Sequence, residues 1–101
     1  MVIKMSKNQY LGNFDSSIYS KFKKLAKKNN RSLNHYLNRK IENLQHDIPL
    51  QRYSDAGNYS KKLIFLEDKN HTLAKNMLYI EGITIRDYVQ SVMEESLKRE
   101  D

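Results

Sequence analysis

Apolar residues recur with helical spacing in four stretches of the chain. In the stretches that follow Ser32 and Thr84, apolar positions fall three and four residues apart, which predicts two amphipathic helices. Shorter apolar stripes predict two further helices, over residues 16–29 and 68–81, each directly before one of the first two. The sequence therefore predicts two helix pairs at an offset of about 52 residues.

A short segment typical of a β-strand precedes each helix pair. Residues 7–14 and 61–66 are six to eight residues long and mix aromatic, aliphatic and polar side chains, which suits one strand each. A single strand has no hydrogen-bonding partner, so we expect the two to pair as an antiparallel ribbon. The predicted fold class is mainly α with a two-stranded antiparallel ribbon.

The turn inside each helix pair carries matching residue types. Asn30 and Gly82 tolerate the left-handed conformation that ends a helix. Ser32 and Thr84 each have a side-chain oxygen that can accept the free amide hydrogens of the next helix. Both turns are therefore predicted to end one helix and cap the next.

Each repeat is too small to bury a core alone, so we expect the two to complete one another within one chain. An exchanged dimer, in which the first repeat of one chain pairs with the second repeat of another, would use the same contacts. The apolar residues of the connection, Ile48, Leu50, Tyr53 and Tyr59, are expected to pack on the core in places. The predicted single domain spans residues 1–101, with repeats at 7–45 and 61–97 and the connection at 46–60.

In the first repeat, the sequence from Phe22 to Asn34, FKKLAKKNNRSLN, runs into the second amphipathic helix. Together with the strand before it, this sequence gives the first repeat a resemblance to the ribbon-helix-helix family of DNA-binding proteins. The resemblance covers residues 5–45 well, whereas over 61–97 it rests on helix lengths and the turn. Two such units in one chain are similar to tandem members of the family that act as accessory factors of conjugative plasmids. The resemblance implies a tandem ribbon-helix-helix pseudo-dimer, β-α-α-linker-β-α-α, whose ribbon enters the major groove of double-stranded DNA.

Charge independently favours a nucleic-acid partner. The chain has 18 lysines and arginines and 12 acidic residues, a net charge of +6. Residues 1–46 contain ten basic and two acidic residues, a net +8, whereas residues 47–101 contain eight basic and ten acidic residues, a net −2. The first repeat is therefore the better partner for phosphates. For any single lysine, an ordinary solvated helix face explains the charge equally well.

The first strand contains candidate base-reading residues. Side chains of a strand alternate between its faces, and counting back from the first helix places Gln9, Leu11 and Asn13 outward. Glutamine and asparagine can form two hydrogen bonds to adenine, and leucine can contact a thymine methyl. The resemblance assigns base reading to these positions, which predicts a half-site rich in A·T pairs. The alternative is that they are ordinary residues of a solvated strand face.

The register of the second strand stays open. One count places Lys61, Leu63 and Phe65 outward, where they would read bases, and the other places Ile64 and Leu66 outward. Neither count gives a polar outer face. We take Lys61, Leu63 and Phe65 as the base-reading candidates of the second repeat, with the apolar pair reading thymine methyls. The alternative is that protein covers this face. In either case the two repeats would contribute unequally, and we expect an asymmetric DNA site.

Candidate phosphate contacts lie where the second helix of each repeat begins. Backbone amides at a helix start lie at the positive end of the helix dipole and bind anions, and the family uses this place to fix its register on DNA. For Ser32 and Thr84, helix capping is expected as well. The candidates at these helix starts are Ser32, Leu33 and Asn34 in the first repeat and Thr84, Ile85 and Arg86 in the second. Lys7, Lys23 and Lys24, elsewhere in the first repeat, are candidates because of their charge.

Catalysis is not expected. The chain has no cysteine and no glycine-rich phosphate loop, and its three histidines lack metal-ligand spacing, so neither a metal nor a cofactor is expected. Its apolar runs are too short to cross a membrane, and the first residues do not resemble a leader. We therefore expect a cytoplasmic protein without a membrane partner.

The expected function is sequence-specific binding of double-stranded DNA, foremost as a transcriptional repressor of a phage, plasmid or mobile element. Copies of the protein itself, bound along repeated DNA sites, are expected partners. One alternative is a relaxosome-type accessory protein near a conjugative transfer origin, with a relaxase or another protein bound by the second repeat. A second alternative is an antitoxin-like or protein-interaction module.

Overall fold

The chain forms four helices and one two-stranded antiparallel sheet, which confirms the predicted coarse class. The computed structural model describes residues 7–45, 47–53 and 58–100, without the side chains of the first two and the last of these residues. No helix within these ranges is long and apolar enough to cross a membrane. The elements are β1 (Lys7–Asp15), α1 (Ser16–Lys28), α2 (Leu33–Leu44), β2 (Tyr59–Glu67), α3 (Asp68–Glu81) and α4 (Ile85–Glu100).

The two strands pair along their whole length. The ladder runs from Lys7 opposite Glu67 to Asp15 opposite Tyr59. β2 begins at Tyr59, two residues before its predicted start, because its first residues still find partners at the end of β1. The ribbon formed by β1 and β2 is the platform for the candidate site.

The turns that precede α2 and α4 are built as predicted. Asn30 and Gly82 both adopt the left-handed conformation, with φ values of 59° and 69°. The hydroxyls of Ser32 and Thr84 each accept a hydrogen bond, of 3.1 Å, from the backbone N–H three residues further along. The predicted helix ends and caps are therefore confirmed at both turns.

α4 is buried on nearly every side. Helices α1, α2 and α3 all pack against it, and every residue from Asp87 to Met93 is buried. Burial raises the pKa of Tyr88 to about 12, since the phenolate would lose its hydration. The sequence pattern predicts an amphipathic helix with a solvated face, and this face is covered instead.

The cover is the connection between α2 and β2. The backbone N–H groups of Gln51 and Tyr53 donate hydrogen bonds of 3.2 Å to Ser91 Oγ and Asp87 Oδ1 of α4. The Tyr53 hydroxyl donates to Glu94 Oε1 at 2.5 Å, and burial together with this bond raises the pKa of Tyr53. Ile48 and Leu50 also pack against the core, as predicted.

Candidate nucleic-acid interface

The six predicted base-reading residues lie on one face of the ribbon as three cross-strand pairs. The central pair, Leu11 opposite Leu63, is exposed, with 59% and 46% of the two residues accessible. Gln9 and Lys61 are exposed as well, whereas Asn13 and Phe65 are partly covered. The structure therefore brings all six together; the other two pairs are Gln9 opposite Phe65 and Asn13 opposite Lys61.

The opposite face of the ribbon is part of the core. Phe14, Ile64 and Leu66 have at most 1% of their surface exposed. Of the two registers left open by the sequence, the structure has the one with Ile64 and Leu66 inside. Burying a side chain of this size contributes about 1.5–3 kcal/mol. The other register would bury Leu63 and Phe65 in place of Ile64 and Leu66, so the fit of the whole core decides between the two.

A glycine shapes the inner face of β1. A Cβ at Gly12 would lie 2.6 Å from Tyr10 Cε2 and 2.9 Å from Phe14 Cε2. The two rings meet edge to face over the glycine, with centroids 6.5 Å apart, a favourable aromatic geometry. Burial raises the pKa of Tyr10. The missing side chain thus lets two rings close the underside of the ribbon.

Side chains of α2 bind the outer edge of β2. Asn34 Oδ1 accepts the N–H of Phe65 at 3.1 Å. Asn38 Nδ2 donates to the Phe65 carbonyl at 2.9 Å, and its Oδ1 accepts the Glu67 N–H at 2.9 Å. These bonds satisfy backbone groups that an edge strand otherwise leaves unpaired. They also hold the start of α2 beside the ribbon.

α4 holds the outer edge of β1 in a similar way. Arg86 Nη1 donates to the Asn13 carbonyl at 3.0 Å, and Gln90 Oε1 accepts the Asp15 N–H at 2.8 Å. Each edge of the ribbon is therefore fixed by a different helix: α2 holds the β2 edge, and α4 holds the β1 edge.

The predicted phosphate contacts at the start of α2 lie next to the ribbon. Ser32 and Asn34 line a hollow of about 380 Å³ together with Phe65. The first backbone N–H groups of a helix have no intrahelical acceptor, so those of Leu33 and Asn34 are suited to an anion. Arg31, which sequence reasoning missed, adds a cation at this turn, with its Nη1 2.7 Å from a histidine nitrogen one turn further along.

The start of α4 differs in its use of Arg86. Thr84 is exposed and Ile85 packs against the core. The Arg86 side chain is only 14% exposed and pairs with Asp87 at 3.0 Å. It also donates to the Tyr53 carbonyl at 2.7 Å. The guanidinium that was expected to meet phosphate is thus held within the protein.

A second arginine lies at the surface of this turn instead. Arg52 of the connection is exposed, and its Nη2 lies 3.2 Å from the carbonyl oxygen of Glu81 at the end of α3. No local pattern in the sequence indicates this contact, because the two residues are 29 positions apart. Arg52 is therefore a candidate cation that only the tertiary structure reveals.

The predicted lysine contacts are spread more widely. Lys7 opens β1, opposite Glu67, and its side chain lies outside the described part of the chain. Lys23 and Lys24 are exposed on α1. Within the described ranges, no hydrogen bond or ion pair joins these two lysines to the ribbon. The structure therefore gathers the ribbon and the α2 start into one surface and leaves the α1 lysines as separate charges.

Comparison with protein-family models, with curated proteins and with solved structures finds no match for this chain. The resemblance to the ribbon-helix-helix family therefore stays a prediction.

Proposed function

We propose that the protein binds double-stranded DNA sequence-specifically by inserting the ribbon into the major groove. The observation that carries the proposal is the exposed ribbon face, where hydrogen-bonding, cationic and apolar side chains stand in cross-strand pairs. A two-stranded ribbon fits the major groove, and such side chains match base edges and thymine methyls. The Leu11–Leu63 pair at the centre of this face is exposed, and adjoining exposed apolar side chains rimmed by polar ones are typical of interaction sites.

We further propose that the chain is a tandem ribbon-helix-helix pseudo-dimer. The second strand begins 52 residues after the first, at Tyr59 against Lys7, and the following helices keep this offset at their starts. Leu11 pairs with Leu63, which is its own counterpart at the same offset. A twofold axis through this central pair would therefore exchange the two halves.

Hydrogen bonds at the ribbon edges support the same relation. The N–H of Glu67 is bonded to Asn38 Oδ1 at 2.9 Å, and the N–H of Asp15 is bonded to Gln90 Oε1 at 2.8 Å. Glu67 stands 52 positions after Asp15, and Gln90 stands 52 positions after Asn38. Equivalent amide side chains thus carry out the same task in both halves.

The two halves would contribute unequally to DNA binding. The first half has a net charge of +8 over residues 1–46, whereas residues 47–101 have −2. Arg86 is committed to internal bonds, and the carboxylate of Asp87 stands beside it. We therefore expect the first half to make most of the phosphate contacts and the bound sequence to be asymmetric and rich in A·T pairs.

The biological role that we propose is transcriptional repression of a phage, plasmid or mobile element, with copies of the protein bound along repeated sites. A repressor acts by occupying a defined operator, so it needs a base-reading surface such as this ribbon face.

The experiment is selection of bound sequences from random duplex DNA at about 150 mM salt, with the mass of the complex measured by light scattering. An enriched, A·T-leaning motif that is lost when Gln9 and Asn13 are replaced by alanine would support the proposal. Retention of DNA without enrichment would refute base reading by the ribbon. The mass separates one chain per site from an exchanged dimer.

A further inference from the structure

A groove of about 540 Å³ runs between α1 and α4. Its floor is apolar and consists of the half-buried side chains of Ile18, Leu25 and Leu97. Ile18 and Leu25 are two helical turns apart, about 10 Å along α1. The groove therefore has the length and the apolar floor that a short helix needs to dock.

The rim of the groove carries positive charge. Lys21, Lys24 and Lys28 stand along α1, and Lys98 stands on α4. None of these four lysines forms an ion pair within the described part of the chain. Glu94 is the acid among the lining residues, and it accepts the hydroxyl of a tyrosine from the connection. With four lysines and one glutamate, the lining residues carry a net charge of +3.

The corresponding groove between α3 and α2 shows the contrast. It has a volume of about 290 Å³, and its acid, Glu42, is 3.1 Å from Lys69 Nζ and 2.6 Å from Arg39 Nη2. Polar Gln45 and Asn70 line it where the first groove has a leucine and an isoleucine. At equivalent places in the fold, one groove is neutralised by its own side chains, and the other is basic over an apolar floor.

We propose that the α1–α4 groove binds an acidic amphipathic helical segment of a partner protein. Apolar side chains at helical spacing would cover the floor, and carboxylates flanking them would meet the four lysines. DNA phosphates would satisfy the lysines alone and leave the floor exposed to water, so the apolar floor favours a peptide. This proposal does not depend on DNA binding by the ribbon.

The probe is a synthetic helical peptide of about 14 residues with leucines along one face and glutamates beside them. It is titrated into the isotope-labelled full chain, and amide shifts and affinity are recorded by NMR. We expect shifts along both groove helices, and an affinity reduced at least about tenfold in Lys21→Glu/Lys28→Glu. The matched control, Lys27→Glu/Lys75→Glu, changes the same charge at exposed positions outside the groove and should alter the affinity by less than about threefold.

A second peptide, with the leucines replaced by serine, tests the apolar floor and should bind at least about tenfold more weakly. Equal binding of both peptides would overturn the proposal, because the groove would then recognise charge alone. Equal losses in the two double variants, or no groove shifts at about 1 mM peptide, would overturn it too. Displacement of the peptide by non-specific duplex DNA would also overturn the proposal, because it would identify the groove as a phosphate-binding surface. Groove shifts that depend only on protein concentration would overturn it as well, because they would identify a second copy of the chain as the occupant.

Discussion

Replacing Asn38 by alanine tests how the ribbon is held over the helices. Asn38 is 4% exposed, and its side chain forms four hydrogen bonds. Its Nδ2 donates to the carbonyl of Asn34 at 2.7 Å and to that of Phe65 at 2.9 Å. Its Oδ1 accepts the N–H of Glu67 at 2.9 Å and Nδ2 of Asn70 at 2.8 Å. Alanine removes all four bonds at once.

The magnitude follows from the groups left without these bonds. The Asn34 carbonyl keeps its helical N–H partner, and Nδ2 of Asn70 keeps the backbone carbonyl of residue 38 at 3.2 Å, so the loss falls mainly on the backbone groups of Phe65 and Glu67. A hydrogen bond contributes about 1 kcal/mol net, and an abandoned buried group costs about 1–3 kcal/mol. We therefore expect Asn38→Ala to lower the free energy of unfolding by about 2–4 kcal/mol, a large part of the stability of a small domain.

The assay is urea unfolding followed by circular dichroism. Asn43→Ala is the matched control, since Asn43 is exposed on the same helix and should change the free energy of unfolding by less than about 0.5 kcal/mol. A double-mutant cycle of Asn38→Ala with Asn70→Ala should show a coupling above about 0.5 kcal/mol. A loss below about 1 kcal/mol for Asn38→Ala would refute the reasoning, because water would then replace the amide at the ribbon edge.

Three further predictions concern the ribbon, DNA binding and pH. Gly12→Ala should lower the free energy of unfolding by about 1–3 kcal/mol in urea, because the added Cβ overlaps two rings; an unchanged midpoint would show that the rings move aside. Asn13→Ala should relax base preference at one position by roughly 1–3 kcal/mol, whereas Arg31→Ala, at the start of α2, should weaken binding to all sequences alike, as measured by competition with mismatched duplexes; equal effects on all DNA would exclude the ribbon as the reader. The pKa of Tyr88 rises from 10.0 to about 12 on folding, so the stability that Tyr88 contributes below pH 10 should decline towards pH 12, by up to about 1.4 kcal/mol per pH unit. Urea midpoints at about pH 9 and pH 11 measure this decline, and an equally steep decline in Tyr88→Phe would contradict it.

The helices and their turns could be predicted from the sequence because their signals are local. The cap at Ser32 and the apolar spacing after it define the start of α2 within one turn. The same holds for the turn at Gly82 and the cap at Thr84. These features depend on residues within a few positions of one another, and the structure confirms them.

Much of the ribbon face could also be predicted, since strand alternation places Gln9 and Leu11 outward once the inner residues are known. The register of β2 could not, because both faces of its sequence are apolar. Burial of Ile64 and Leu66 against the helices decides it, and this burial depends on the whole core.

Sequence by itself determined the order of the elements, their approximate bounds and the uneven charge of the two halves. Tertiary structure alone decided which polar side chains serve the fold and which stay at the surface. Arg86 reads as a surface cation, yet it is held between Asn13 and Tyr53, which are 73 and 33 positions away. Arg52 reads as a linker residue, yet it lies at the turn before α4. The physical reason is that backbone groups at the ribbon edge and helix ends require partners, and only the folded chain determines which distant side chains provide them.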